Sequence, residues 1–319
     1  MGLLGQAALG EFNMCEGLIA MCPGQGAQKV GMGKAWNDIS PAAKAIFDHA
    51  DEVLGDSLGL PLSQICFHDP NGEINQTNIS QPAIYTCAVA SWHGLLEQGL
   101  SGNLVATAGL SLGEYTALHL AGVFSFADGL RLVAKRGELM QAAAESQAST
   151  MIAVTGNDDV ALEFCQEAVE EGEILVAANF NAPGQTVLSG SVTSCARVAE
   201  LAESKGVRAT LLSVAGAFHS PFMASAAEGM REALEKVELK RPVIDVWSNV
   251  TAKLHVPETL KECLVDQITG SVRWSQSCAA MSTMYDEHSW HELAPSSVLR
   301  GLMRRINRDV KVQSHDEPK

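Results

Sequence analysis

The sequence predicts an α/β protein in two unequal parts: a large subdomain built on a parallel sheet, and a smaller subdomain inserted into it. Three observations carry this. Short apolar runs alternate with helix-like stretches along most of the chain. One such run, Leu104 to Ala108, leads into Gly109-Leu110-Ser111-Leu112-Gly113 and then into a helix-like stretch, which is a strand, a sharp turn and a helix. From about residue 148 to 214 the order changes to strand-helix-strand-strand-helix-strand, the ferredoxin-like order.

Taken in order, residues 18–22 form a buried strand that stops at Pro23-Gly24-Gln25-Gly26-Ala27-Gln28. This loop is either a plain turn or a place where backbone amides and Gln25 approach a ligand. It fits neither phosphate-loop spacing. Helices are predicted at 41–54, with Ser40 as cap and Pro41 in the first turn, and at 81–99, opened by Pro82. The turn at Ser111 is followed by a helix to 121 and another over 126–146. Within the insertion, strands are predicted at 151–154, 174–178, 186–189 and 208–214, with helices at 158–171 and 194–206. The chain then returns to the main sheet with a helix at 221–236, a strand at 243–247, and helices at 257–268, 272–284 and 296–308. The large subdomain spans 18–147 and 215–310, and the small one 148–214. Residues 1–17 and 311–319 read as flexible ends.

Composition narrows the function classes. With 319 residues, 46% hydrophobic and 18% charged, the chain can bury a large core. A net charge of −15 argues against general nucleic-acid or membrane-surface binding, which need basic fields. No run approaches the roughly 18 apolar residues of a membrane span. The N-terminus lacks the basic and apolar regions of a secretory signal. The eight cysteines contain no C-x-x-C and read as small buried hydrophobes. His288, His291 and Glu292 sit close in sequence, but they read as a solvated segment rather than a metal site.

The chemistry concentrates at Ser111. Glycines two residues before and after a serine leave room for a tight turn that lifts the hydroxyl from the sheet edge, as in α/β-hydrolase-like folds. The Leu112 N–H, at the helix start, faces a developing oxyanion. A serine hydroxyl needs a base. The best candidate is His219, in the small-residue loop Gly216-Ala217-Phe218-His219-Ser220-Pro221. No acidic residue stands in a triad-like place downstream, so the sequence reads as a Ser/His dyad. Arg136 and Met140 share a helix face near this turn. An arginine there has no use with a neutral ester, but it can hold an acyl group that carries a carboxylate.

Seven motifs then come in a telling order: Gly24-Gln25-Gly26-Ala27-Gln28, Gly109-Leu110-Ser111-Leu112-Gly113-Glu114-Tyr115, Arg136-Gly137-Glu138-Leu139-Met140-Gln141, Asn179-Phe180-Asn181-Ala182-Pro183-Gly184-Gln185, Ala217-Phe218-His219-Ser220, Ser248-Asn249-Val250 and Gln267 to Trp274. This order resembles the malonyl-CoA:acyl carrier protein transacylases of type II fatty acid synthesis, over about residues 18 to 308. The resemblance implies that Ser111 is acylated, that His219 activates it, and that Gln25 and Leu112 supply oxyanion-hole N–H groups. It implies that Arg136 binds the malonyl carboxylate and that the Gln267 carbonyl orients His219. It places Phe218, Met140, Gln81, Asn179 and Asn181 around the acyl pocket, with Phe218 excluding a 2-methyl group.

The resemblance further implies no cofactor beyond the coenzyme A thioester substrate. Its implied partners are malonyl-CoA and acyl carrier protein, and its implied state a monomer. Leu110 replaces the histidine that many bacterial members carry before the serine. That substitution points to a plastid stroma, with the cytoplasm as the alternative setting. The carrier is acidic, so a local basic patch is expected from Arg300, Arg304, Arg305, Arg308 and Lys311, or from Lys205 and Arg208. Two other readings stand beside transfer. A serine hydrolase or thioesterase predicts an acidic triad member and gives Arg136 no task. A non-catalytic malonyl-CoA-binding protein predicts that Ser111 is dispensable.

Overall fold

The computed structural model describes residues 17–318. The elements in chain order are β1 (Gly17–Cys22), α1 (Lys34–Ile39), α2 (Pro41–Leu54), α3 (Leu62–His68), α4 (Thr77–Glu97), β2 (Asn103–Gly109), α5 (Gly113–Leu120) and α6 (Phe126–Ser146). The insertion holds β3 (Ser149–Thr155), α7 (Asp158–Ala168), β4 (Leu175–Ala182), β5 (Gln185–Ser191), α8 (Val192–Ser204) and β6 (Arg208–Leu211). The chain closes with α9 (Ala224–Glu235), β7 (Asp245–Trp247), α10 (Leu260–Thr269), α11 (Trp274–Met284), β8 (Ser289–Glu292), α12 (Val298–Ile306) and β9 (Val312–Ser314).

Five parallel strands form the main sheet in the order β7-β2-β1-β8-β9. All six residues of β1 are buried, as a central parallel strand covered on both faces requires. Its alternation sends Leu18 and Cys22 into one core and Ile19 and Met21 into the other. On the first side lies α4, apolar around its whole circumference and packed among α2, α5 and α6. On the second side, Trp247, Trp274 and Trp290 build a smaller core. The loops that follow β1 and β2 lie side by side at the carboxyl ends of the strands, where open α/β sheets place their sites.

The inserted sheet is antiparallel, in the order β4-β5-β3-β6. One face packs on α7 and α8 through Ile152, Phe164, Leu188 and Val198. It is stitched to the main body by backbone bonds: Phe180 N donates to Val272 O at 2.9 Å, and Val272 N to Ala178 O at 2.8 Å.

Several expectations are corrected. Helix α4 begins at Thr77, so Pro82 lies inside it rather than opening it. Its added first turn is held from outside, by the Thr77 N–H donating to Gln141 Oε1 and by the close approach of Gly137. Of the two ends read as flexible, Gly17 is the first residue of β1, and residues 1–16, with Cys15, lie outside the described residues. The carboxyl end is also ordered. Val312–Ser314 is the edge strand β9, and the next turn is tied down by Trp36 Nε1 donating to His315 O and by a Lys29–Asp316 ion pair.

The 288–292 stretch is likewise not a solvated segment but largely β8. His291 is buried and stacked on His315, and Glu292 is fully buried, accepting from the Leu299 and Arg300 N–H groups at the start of α12. Burial pushes the Glu292 carboxyl up to about 7, even against those two donors. Among the described residues no three His, Cys, Asp or Glu side chains converge as metal ligands, and no helix is long and apolar enough to cross a membrane.

Candidate active site

The turn between β2 and α5 is strained in a specific way. Ser111 has φ 51°, in the left-handed region that side chains rarely adopt. Its two glycines are required by contact. A Cβ on Gly109 would lie 1.9 Å from the Gly113 carbonyl, and one on Gly113 would lie 2.1 Å from Cys22 O. The β1 loop locks on from below. Leu110 N donates to Cys22 O at 3.1 Å, and Gly24 approaches Leu110 O too closely for any side chain. Asn249 pins the other side: its Oδ1 accepts from Ser111 N at 2.6 Å and its Nδ2 donates to Gly109 O at 2.7 Å.

His219 also sits at positive φ, 56°. Its loop hangs from the inserted sheet, since Ser149 Oγ accepts from Ala217 N and Ser189 Oγ donates to Phe218 O. The ring reaches Ser111 Oγ with Nε2 at 2.8 Å and Gln267 O with Nδ1 at 2.7 Å. A carbonyl only accepts, so Nδ1 carries the proton and Nε2 keeps its lone pair toward the serine.

Arg136, on α6, is 1% exposed, and its Nη2 donates to Ser111 Oγ at 3.0 Å. A guanidinium only donates, so the Ser111 hydroxyl proton is left to point at His219. Arg136 also donates to Gln81 Oε1 at 2.7 Å and to Gln267 Oε1 at 2.9 Å, and its guanidinium lies 5.7 Å from the centre of the Tyr115 ring. All three of these hydrogen-bond acceptors are neutral. Burial accordingly holds the Arg136 pKa below its ordinary value.

Gln267 is the hub. Its carbonyl holds His219, and its Oε1 takes Arg136. Its Nε2 donates to Ser111 O at 2.9 Å and to Glu114 Oε2 at 2.5 Å. Glu114 is fully buried, and its Oε1 accepts from His255 Nε2 at 2.5 Å and from Asn249 N at 3.3 Å. Sequence reasoning gave no role to Asn249, Glu114, His255 or the Gln267 side chain. Two signals were available: Glu114 follows the elbow directly, and Asn249 stands in a motif of the resemblance. Burial first, and then the Arg136 charge, push the His219 pKa down to about 4, against the help of the Gln267 carbonyl. The imidazole is therefore neutral, ready to accept a proton.

The dyad opens into a cavity of about 520 Å³ between the two sheets. Gln25, Met140, Asn179, Asn181 and Phe218 line it with Ser111, Arg136 and His219, so five expected wall or oxyanion positions meet there. Gln81 is a correction. It is fully buried, and its Nε2 contacts Met140 Sδ while its Oε1 holds Arg136 from behind, away from the cavity wall. Leu112 lies under the turn at the start of α5, with its side chain in the core.

A second cleft, of about 930 Å³, is lined by Arg300, Arg304, Arg305, Arg308 and Lys311. Arg305 is already engaged there: it donates to Pro183 O, Gly184 O and Gln185 Oε1 of the β4–β5 hairpin. Lys205 is paired with Glu167.

Comparison with known proteins gives the family. The acyl transferase domain family matches residues 20–314. A malonyl CoA-acyl carrier protein transacylase of Bacillus subtilis is 38% identical, over 93% of this chain and 92% of its own length. The crystal structure of the malonyl-CoA:acyl carrier protein transacylase of Xanthomonas oryzae superposes with a TM-score of 0.88 at 35% identity, covering 94% of this chain and 95% of that one. A malonyl-transacylase solved in complex with a type II PKS acyl-carrier protein gives 0.87 at 31% identity, covering 95% and 96%. Shared sequence, shared fold and near-complete coverage lead to one assignment: the chain belongs to the malonyl CoA-acyl carrier protein transacylase family of acyl transferases.

Proposed function

We infer that this protein transfers malonyl from malonyl-CoA to the phosphopantetheine thiol of acyl carrier protein, through a malonyl-serine intermediate, to supply fatty acid synthesis. The observation that carries this reading is the buried Arg136. A cation with only neutral acceptors, 3.0 Å from the nucleophile, suits an acyl group that brings its own negative charge. A hydrolase for neutral esters would place an expensive charge there for nothing.

The steps follow from the geometry. Ser111 Oγ attacks the thioester carbonyl while His219 Nε2 takes its proton. The oxyanion turns toward the Leu112 and Gln25 N–H groups. Collapse breaks the carbon–sulfur bond, and His219 returns the proton to the leaving thiolate. A carbonyl at Nδ1 orients the ring without adding a negative charge, so the imidazolium remains a strong enough acid for that return. The carrier thiol then repeats the sequence in reverse. The carboxylate clamp fixes the ester for thiol attack, and the apolar walls at Met140, Met151 and Phe218 limit water.

Four further parts belong to the proposal. Phe218 excludes a 2-methyl group. The basic cleft at Arg300, Arg304, Arg308 and Lys311 steers the acidic carrier. The enzyme acts as a monomer, without a cofactor beyond its thioester substrate, which light scattering and activity of the metal-free protein test. Leu110 supports a plastid setting, tested by locating the tagged protein in its source cell; the relatives named above are bacterial.

Intact mass after mixing with malonyl-CoA separates the readings. A malonyl adduct that Ser111→Ala abolishes supports transfer. Free malonate without adduct supports hydrolysis, and neither product supports a binding protein.

A further inference from the structure

A buried ion pair lies behind the site, one hydrogen bond beyond the Gln267 hub. Glu114 and His255 are both fully buried through their side chains and meet at 2.5 Å. Three donors converge on the Glu114 oxygens, from His255 Nε2, Gln267 Nε2 and Asn249 N, which is the pattern of an ionised carboxylate. One side-chain amide separates this carboxylate from Arg136, because Gln267 donates to Glu114 with Nε2 and accepts from Arg136 with Oε1.

Left alone, an anion at that distance would partly cancel the Arg136 charge that the substrate needs. His255 changes the balance. We propose that His255 is a specificity-determining residue: its ring, paired with Glu114, takes up the carboxylate charge and leaves Arg136 as the uncompensated cation of the cavity, reserved for an acyl carboxylate. Burial alone would lower the His255 pKa, but its contacts with Cys263 and Glu114 overturn this and raise it to about 9. The buried group then comprises two cations and one anion, and a malonyl carboxylate makes it neutral. The network serves two purposes: Glu114 holds Gln267 by hydrogen bonds, and His255 removes the electrostatic cost of having Glu114 there.

The proposal rests on the reading that Arg136 binds the acyl carboxylate. Its test compares loading of Ser111 from malonyl-CoA and from acetyl-CoA, followed by rapid-quench intact mass. A wild-type enzyme that loads both thioesters equally would overturn that reading before any variant is made. His255→Gln keeps an N–H donor near Glu114 and removes the charge. Its malonyl loading should fall about thirtyfold, the order expected for two unit charges roughly 8 Å apart at an effective dielectric of about 20, with acetyl loading little changed.

Adding Glu114→Gln to this variant removes the unbalanced anion and should restore the malonyl preference to within about threefold of wild type. A purely structural pair would not show that recovery. An equal fall in malonyl and acetyl loading, or a double variant no better than His255→Gln, overturns the proposal. Should His255→Gln fail to fold, the wild-type pH profile decides: a malonyl-to-acetyl loading ratio that falls as pH rises through about 9 supports the charge account, and a ratio flat across about pH 8 to 10 contradicts it.

Discussion

Arg136 Nη2 donates to Ser111 Oγ at 3.0 Å, so the nucleophile and the cation read from the sequence as separate candidates are a single hydrogen-bonded unit. The contact sets the hydroxyl rotor. With a lone pair occupied by the guanidinium, the Ser111 proton lies on the line to His219 Nε2, 2.8 Å away.

The pH dependence follows from His219. Its pKa in the fold is about 4, against an ordinary 6.5. The dyad therefore stays deprotonated across the range where a free histidine would titrate. The acid limb of kcat/KM for malonyl loading should fall near pH 4 to 5, once corrected for unfolding, rather than near 6.5. Stability has the same sign. Below pH 6.5 the unfolded chain takes up a proton that the native site resists, so this contribution is complete above 6.5 and is lost as pH falls toward 4. It amounts to about 3 kcal/mol. Denaturant titrations of wild type and His219→Gln at pH 7.5 and 4.5 measure it by difference, because the raised Glu292 and His255 titrate in the same window with the opposite sign.

Asn249 anchors the strained turn by accepting from Ser111 N and donating to Gly109 O. Asn249→Ala leaves the half-buried Ser111 N–H without its acceptor. Stability should drop by about 1–3 kcal/mol, and kcat for malonyl loading should fall more than KM changes, because the nucleophile loses its position rather than its substrate contacts.

Phe218 lines the cavity at 5% exposure. Phe218→Ala should raise loading from methylmalonyl-CoA relative to malonyl-CoA by about tenfold, the value of one methyl in an apolar pocket. An unchanged ratio removes Phe218 from the selectivity account.

The basic cleft makes a kinetic prediction. Arg305 braces the β4–β5 hairpin, so reversing it would disturb the join between the sheets. Arg304→Glu with Arg308→Glu is the cleaner variant. It should slow transfer to carrier by about tenfold at low salt and leave loading from malonyl-CoA near wild type. Equal slowing of both half-reactions contradicts the docking role.

Local signals made much of this site legible. The elbow is a contiguous strand-turn-helix, and its glycines are dictated by contacts of 1.9 and 2.1 Å with backbone. His219 was visible because its loop of small residues precedes a proline, and the absence of a third acid matched the Gln267 carbonyl now seen at 2.7 Å. The inserted sheet followed from strand order. What escaped was assembled from distant segments. Glu114 meets Gln267 and His255 across more than a hundred residues, and no periodicity encodes such a meeting. Strands β8 and β9 escaped for a different reason. In β8, His291 and Glu292 look solvated in a string of letters, yet Glu292 is buried because helix N–H groups receive it, and β9 is a three-residue edge strand too short to show a pattern. Pro82 misled in the opposite direction, since side-chain support from Gln141 lets α4 begin before it.

In the proposed mechanism Arg136 reads the acyl carboxylate. The most direct measurement is the ratio of malonyl to acetyl loading on Ser111, from an equimolar mixture of the two thioesters, in wild type and in Arg136→Ala. Wild type should favour malonyl strongly, and Arg136→Ala should lower that ratio by on the order of a hundredfold while still accepting acetyl. A ratio unchanged in a folded Arg136→Ala protein would contradict the account.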